Sequence, residues 1–203
     1  ELFENCWEET PTPYLQSVPD SSIDYPTILN EPEAERWLTS SPDVYCNTTD
    51  GRMLQHVLPL FDRETTDFFR WKVEYLREQL EEILHAKSEI DFGMVMDIVP
   101  MKRGPSGRIV KLKIIGSKRT VIVGKELEIR RWLSKSHLYS SAFIVKIERD
   151  GKGVPVKFVF HGAGWGHGVG LCQIGAAVMA SKGFTAGEIV KHYFIGAELK
   201  KIY

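Results

Sequence analysis

The stretch FHGAGWGHGVGLCQIGAA, residues 160–177, decides the reading of this chain. Glycine stands at 162, 164, 166, 168 and 170, so every second residue lacks a side chain. In an extended conformation one face would then be bare backbone, while Ala163, Trp165, His167, Val169 and Leu171 would share the other. Ordering five glycines within nine residues costs conformational entropy, which implies that the backbone shape, or a close approach to it, is required. Trp165 offers a flat amphipathic ring, and His167 a titratable donor or acceptor two residues on, a pairing suited to a sugar ring. A core tryptophan and a satisfied buried histidine are the plainer alternative.

Spacing excludes several other chemistries. A dinucleotide fingerprint G-x-G-x-x-G begun at Gly162 meets His167 at its last position, and one begun at Gly164 meets Val169. No G-K-S or G-K-T follows, so there is no phosphate loop. His161, His167 and Cys172 do not have a standard zinc spacing, and a metal-free site is the stronger reading. Cys172 is a candidate nucleophile with His167 or His161 as base, against the plainer role of a small residue opening a helix. Gln173, beside it, can present donor and acceptor groups to a hydroxylated ligand.

Working outward, Leu171, Ile174 and Val178 mark a helix face after the motif, ending near Gly183. Thr185 and Glu188 form a capping box that opens a second helix. Upstream, Ala142 to Glu148 and Pro155 to Phe160 read as strands joined across Asp150-Gly151. Met94 to Met101 and Arg108 to Ile115 form another hairpin, in which Val110, Leu112 and Ile114 alternate with lysines. Arg119 to Val123 adds a strand, Lys125 to Leu133 a short helix, and Phe68 to Tyr75 an extended segment. Leu76, Leu80, Ile83 and Leu84 set the apolar face of a helix over 76–87. Residues 1–69 carry prolines at 11, 13, 19, 26, 32 and 42 and one expected helix, Glu31 to Leu38, capped by Asn30. The fold class is therefore α+β: antiparallel hairpins, several short helices and a proline-rich N-terminal arm (1–69) on a body spanning 70–203.

With 203 residues, 43% of them hydrophobic, the chain can bury a substantial core, and a net charge of -1 gives no surplus for nucleic acid. No run approaches the length of a membrane span, and the first residues lack a signal peptide's pattern. Cys6, Cys46 and Cys172 are too few for a disulfide framework; a Cys6–Cys46 bridge and two separate thiols are both open.

Residues 164–203, GWGHGVGLCQIGAAVMASKGFTAGEIVKHYFIGAELKKIY, resemble the C-terminal signature of the stage II sporulation protein D family, which includes the amidase enhancers called LytB. The glycines, Trp165, His167, Gln173, Gly175 and Ala176 match its G-x-G-W-G-H-G-V-G-M-S-Q-Y-G-A pattern. Leu171, Cys172 and Ile174 replace the usual Met, Ser and Tyr, and a hydroxyl in place of Cys172 argues against a cysteine nucleophile. Arg130 to Phe143, and Glu1 to Asp20 with Trp7 and Pro13-Tyr14-Leu15, resemble further parts of the family. The resemblance implies an extracytoplasmic protein that binds peptidoglycan glycan strands and acts as a lytic transglycosylase, or, without cutting them, stimulates a cell-wall amidase or serves as a cell-wall scaffold. It implies that Trp165, His167, Gln173 and the loop glycines 164, 166, 168 and 170 line the glycan site, with His161 and Cys172 in support, and that no metal or cofactor is needed. The family's general acid lies in an E-M-P motif that does not occur here, so the acid is expected from a segment upstream of this chain.

Overall fold

The computed structural model describes residues 1–7, 10–28, 30–58 and 68–202. Residues 8–9, 29 and 59–67 of the proline-rich segment, and residue 203 at the end of the resemblance, lie outside the described residues. The architecture is α+β, with two antiparallel three-stranded sheets. The first has the order β1 (Arg70–Leu76), β6 (Pro155–Ala163), β5 (Phe143–Arg149); the second runs β2 (Val95–Arg103), β3 (Ile109–Gly116), β4 (Thr120–Val123).

Alternation in β3 works as expected: Val110, Leu112 and Ile114 are buried while Lys111 is exposed. The main core lies between the sheets, where Leu112 and Ile114 meet Trp71, Phe143, Phe158 and Phe160, with α3 (Arg77–Ser88) and α4 (Glu126–Trp132) closing it through Leu80, Leu84 and Ile129. Leu76 departs from the expected helix face. It is the last residue of β1 and is exposed, because the helix begins one residue later and turns Leu80, Ile83 and Leu84 inward instead.

Ahead of β1, α1 (Glu31–Thr39) opens at Asn30, whose side chain accepts from the Glu33 nitrogen, and buries Ala34 and Leu38 against Ala142, Ile144 and Ala163. The arm holds a second helix that the sequence reading missed, α2 (Gly51–Val57), capped by Asp50 through the nitrogens of Arg52 and Met53. Its Leu54 packs with Leu58 and Phe68 beneath Trp165 and Ile174. Beyond the glycine motif, α5 (Gln173–Ser181) and α6 (Ala186–Tyr193) pack together, the latter opened by the expected Thr185–Glu188 box. Cys6, Cys46 and Cys172 are all free, so the Cys6–Cys46 bridge is not formed: Cys6 lies against the His167 carbonyl, whereas Cys46 lies beside Cys172.

Candidate functional site

The glycine motif leaves β6 at Ala163 and is not the extended ladder expected from the sequence. Gly164, Gly166, Gly168 and Gly170 have φ of +65°, +78°, +73° and +74°, so left-handed residues alternate with ordinary ones and the chain turns at each step. An L side chain at such a position costs about 1–2 kcal/mol, which explains glycine at alternate positions better than a bare face does. Donors from distant segments then hold the loop by its carbonyls. Trp71 Nε1 donates to Gly164 O at 2.9 Å, Arg108 Nε and Nη2 to Gly166 O at 3.3 Å, and the Glu1 backbone nitrogen to Gly168 O at 2.8 Å. In return the nitrogens of Gly164 and Gly166 donate to the carbonyls of Phe69 and Tyr139 at 3.1 and 2.8 Å.

On this scaffold Trp165 is half-buried. Tyr139 stacks on its indole at 4.7 Å and 6°, Phe68 meets it edge-on at 4.8 Å, and its buried Nε1 has no hydrogen-bond partner among the described residues. One indole face is thus covered, and the ring offered to solvent beside it is Tyr139, 38% exposed. His167 meets Trp7 edge-on at 4.4 Å, and Trp7 is 42% exposed. The Val169 nitrogen donates to His167 Nδ1 at 3.0 Å, so the neutral ring carries its proton on Nε2. Burial, with Arg108 and Arg130 nearby, pushes the imidazole down to about 4. His167 is therefore a neutral Nε2–H donor across the physiological range.

Around the Arg108 anchor lies a polar cluster whose buried acid, Glu126, the sequence reading did not single out. Glu126 is fully buried on α4; its Oε1 accepts from the Ser141 nitrogen at 3.2 Å, and Arg130 stands 3.7 Å from Oε2. Burial raises its pKa against the pull of Arg130 and Arg108. The only sequence signal was the i, i+4 spacing of Glu126 and Arg130, common to solvated helix faces. Glu1 is also buried, its carboxylate accepting from Asn5 Nδ2 at 2.7 Å, the Leu2 nitrogen at 2.9 Å and Ser106 Oγ. Arg108 Nη1 donates to the same Ser106 hydroxyl at 3.2 Å, so Glu1, Ser106 and Arg108 run in series to Gly166 O.

Trp165 thus packs with Tyr139 and Phe68, His167 packs with Trp7, and Gln173 sits exposed at the first position of α5. His161 is not brought to them. It lies within β6, opposite Lys72 and Ile144, where burial and then Lys146 and Lys72 lower its pKa. Cys172 caps α5, its sulfur accepting from the Gly175 nitrogen at 3.4 Å, and its titratable neighbours are Cys46 and Asp20. The triple His161, His167 and Cys172 therefore does not converge on a metal, and Cys172 has no histidine base in that cluster. Two open depressions, one lined by His85, Asp91 and Lys118 and the other by Glu35, Pro100 and Lys146, include no residue of the motif.

The tethered glycine loop, bearing an indole and a neutral imidazole, thus leaves the middle strand of the first sheet. The chain belongs to the family described as "Domain of unknown function (DUF8618)", whose model matches residues 1–170 and so includes the loop through Gly170. It is also related to stage II sporulation protein D, with 40% identity over 81 residues to that of Bacillus subtilis (strain 168) and 38% over 81 residues to that of Bacillus amyloliquefaciens. Each match takes in 40% of this chain and 22% of the relative's length. Among the described residues no helix is long and apolar enough to cross a membrane.

Proposed function

We propose that this chain supplies a glycan-binding surface of an extracytoplasmic, sporulation-related cell-wall protein, and that the full protein cleaves peptidoglycan strands as a lytic transglycosylase. The observation that carries the reading is the pair of exposed rings packed on the indole and imidazole of the glycine loop. The exposed ring of Trp7 packs on His167, whose neutral imidazole keeps its proton on Nε2, and the exposed ring of Tyr139 packs on Trp165, with His167 and Trp165 both on a loop fixed from both sides. Sugar C–H faces stack on such rings, and their hydroxyls suit a neutral donor and the Gln173 amide. Because every loop anchor is already made in the free protein, little ordering cost accompanies binding.

The chemistry would be acid-assisted. A carboxylic acid protonates the glycosidic oxygen and then helps the sugar's own 6-hydroxyl attack the anomeric carbon, leaving a 1,6-anhydro end. That acid is assigned to a segment upstream of this chain, as the resemblance implies. Glu126, whose raised pKa would suit an acid, has no exposed surface from which to reach a substrate.

That burial also favours a second reading, a non-catalytic module that holds glycan and stimulates a cell-wall amidase. Mass spectrometry of soluble products after the full-length protein meets glycan strands, with and without stem peptides, separates the two. Anhydro-ended fragments establish cleavage. Binding without products moves the function to the enhancer, and neither binding nor products overturns both.

A further inference from the structure

Asp20, Cys46 and Cys172 come from three separate segments: the stretch before α1, the link between α1 and α2, and the cap of α5. A carboxylate oxygen and the two sulfurs nevertheless lie within 4.8 Å of one another, each residue half-buried. The carboxylate is held from outside. The Cys46 nitrogen donates to Oδ2 at 2.8 Å, Tyr193 OH donates to Oδ1, and the Tyr45 nitrogen fixes the Asp20 backbone through its carbonyl at 2.7 Å. Gly175 leaves room for it, since a Cβ there would overlap Asp20 Oδ1 and Tyr193 Oη.

The structure assigns to Asp20, Cys46 and Cys172 a binding site for a thiophilic divalent cation of the zinc type. Zinc takes cysteine sulfur at about 2.3 Å and carboxylate oxygen at about 2.0–2.2 Å, so tetrahedral ligands stand about 3.5–4 Å apart, inside the spread of these three atoms. Two sulfurs disfavour calcium and magnesium, which prefer oxygen. Three protein ligands leave one coordination position for water. The bonds from Tyr193 and the Cys46 nitrogen resemble the outer contacts that orient ligating carboxylates. Without a cation, three groups that can each carry negative charge converge. A disulfide between Cys46 and Cys172 would account for the sulfurs but not for the oriented carboxylate. Bound metal would pin the segments around residues 20 and 46 to the start of α5, and so fix Gln173 next to the loop. The site stands independently of the glycan reading.

The test is titration of the reduced full-length protein with Co2+, followed by the thiolate-to-cobalt charge-transfer band and the visible bands of tetrahedral cobalt, with Zn2+ as competitor. One equivalent should bind and be displaced by Zn2+, and Zn2+ should shield two of the three thiols from a disulfide reagent. Cys46→Ser and Cys172→Ser should each weaken binding at least about tenfold, as outer-contact losses alone can, and Asp20→Asn should weaken it as well. Cys6→Ser should bind as wild type does. Serine at 172 retains a helix-capping oxygen, so circular dichroism should show that this variant folds. A folded wild type without the charge-transfer band, or a Cys46→Ser/Cys172→Ser double variant that keeps it, overturns the proposal. A Cys46–Cys172 disulfide mapped in the isolated protein, with no metal bound after reduction, replaces it with a redox pair.

Discussion

Gly162 stands two residues ahead of the loop in a tightly packed stretch of β6. It lies in β6 facing Trp71 on one side and Phe143 on the other, and a Cβ there would fall inside the indole of Trp71, overlapping its six-membered ring. Trp71 cannot yield cheaply: it is 4% exposed, packs on Tyr139 and Phe143, and donates Nε1 to Gly164 O. Gly162→Ala should therefore cost overpacking of ~1–3 kcal/mol plus ~1 kcal/mol for the displaced hydrogen bond, together ~2–4 kcal/mol. Gly166→Ala is the comparison. It also lies on the loop, has open space at its Cβ and should cost only the left-handed backbone penalty of ~1–2 kcal/mol. Urea unfolding would measure both. Trp71→Phe removes the ring atoms that the new methyl meets, so Gly162→Ala should cost less in that background, giving a coupling of ~1 kcal/mol or more. A Gly162→Ala midpoint indistinguishable from wild type, or simple additivity with Trp71→Phe, would refute the steric argument.

His167 should show no titration between about pH 5 and 8 by NMR of its ring protons, with a midpoint near 4. Its folded value lies below the ordinary 6.5, so the unfolded chain takes up the proton first. The stability it contributes is complete above about 6.5 and is lost as pH falls from there to about 4, and His167→Asn should flatten that part of the stability–pH curve. Arg103 is 3% exposed in its side chain and binds Glu31 through Nε and Nη2 at 2.6 and 2.7 Å, the Gly107 carbonyl at 2.7 Å and the Phe143 carbonyl at 2.9 Å. Arg103→Met leaves those acceptors unmatched and should lower unfolding free energy by ~2–4 kcal/mol in urea titration.

The hairpins were legible because a half-buried strand enforces alternation, as at Val110, Leu112 and Ile114, and α1 and α6 because Asn30 and Thr185 are caps whose partners lie within three residues. The second arm helix was not legible: α2 has seven residues, opens on a glycine and follows proline-rich sequence, so propensity gave no warning of Leu54's place under Trp165. The glycine spacing revealed a special backbone but not its kind, because alternate glycines serve an extended face and a chain of left-handed turns equally well. Glu126 reads like any helix-surface acid in sequence, and only the fold buries it against Ser141 and Arg130. Cys46 and Cys172 could not have been paired from sequence, since only the packing of α2 and α6 on α5 brings those segments together.

The exposed rings packed on the glycine loop should hold a glycan strand, and co-sedimentation with purified, amidase-stripped peptidoglycan measures this. Wild type should pellet with the glycan, and Tyr139→Ala, which removes an exposed ring with an interaction worth ~0.5–1.5 kcal/mol, should bind roughly 2–10-fold more weakly while remaining folded. Wild-type protein that stays in the supernatant, or binding unchanged in a Trp7→Ala/Tyr139→Ala variant, would contradict the claim.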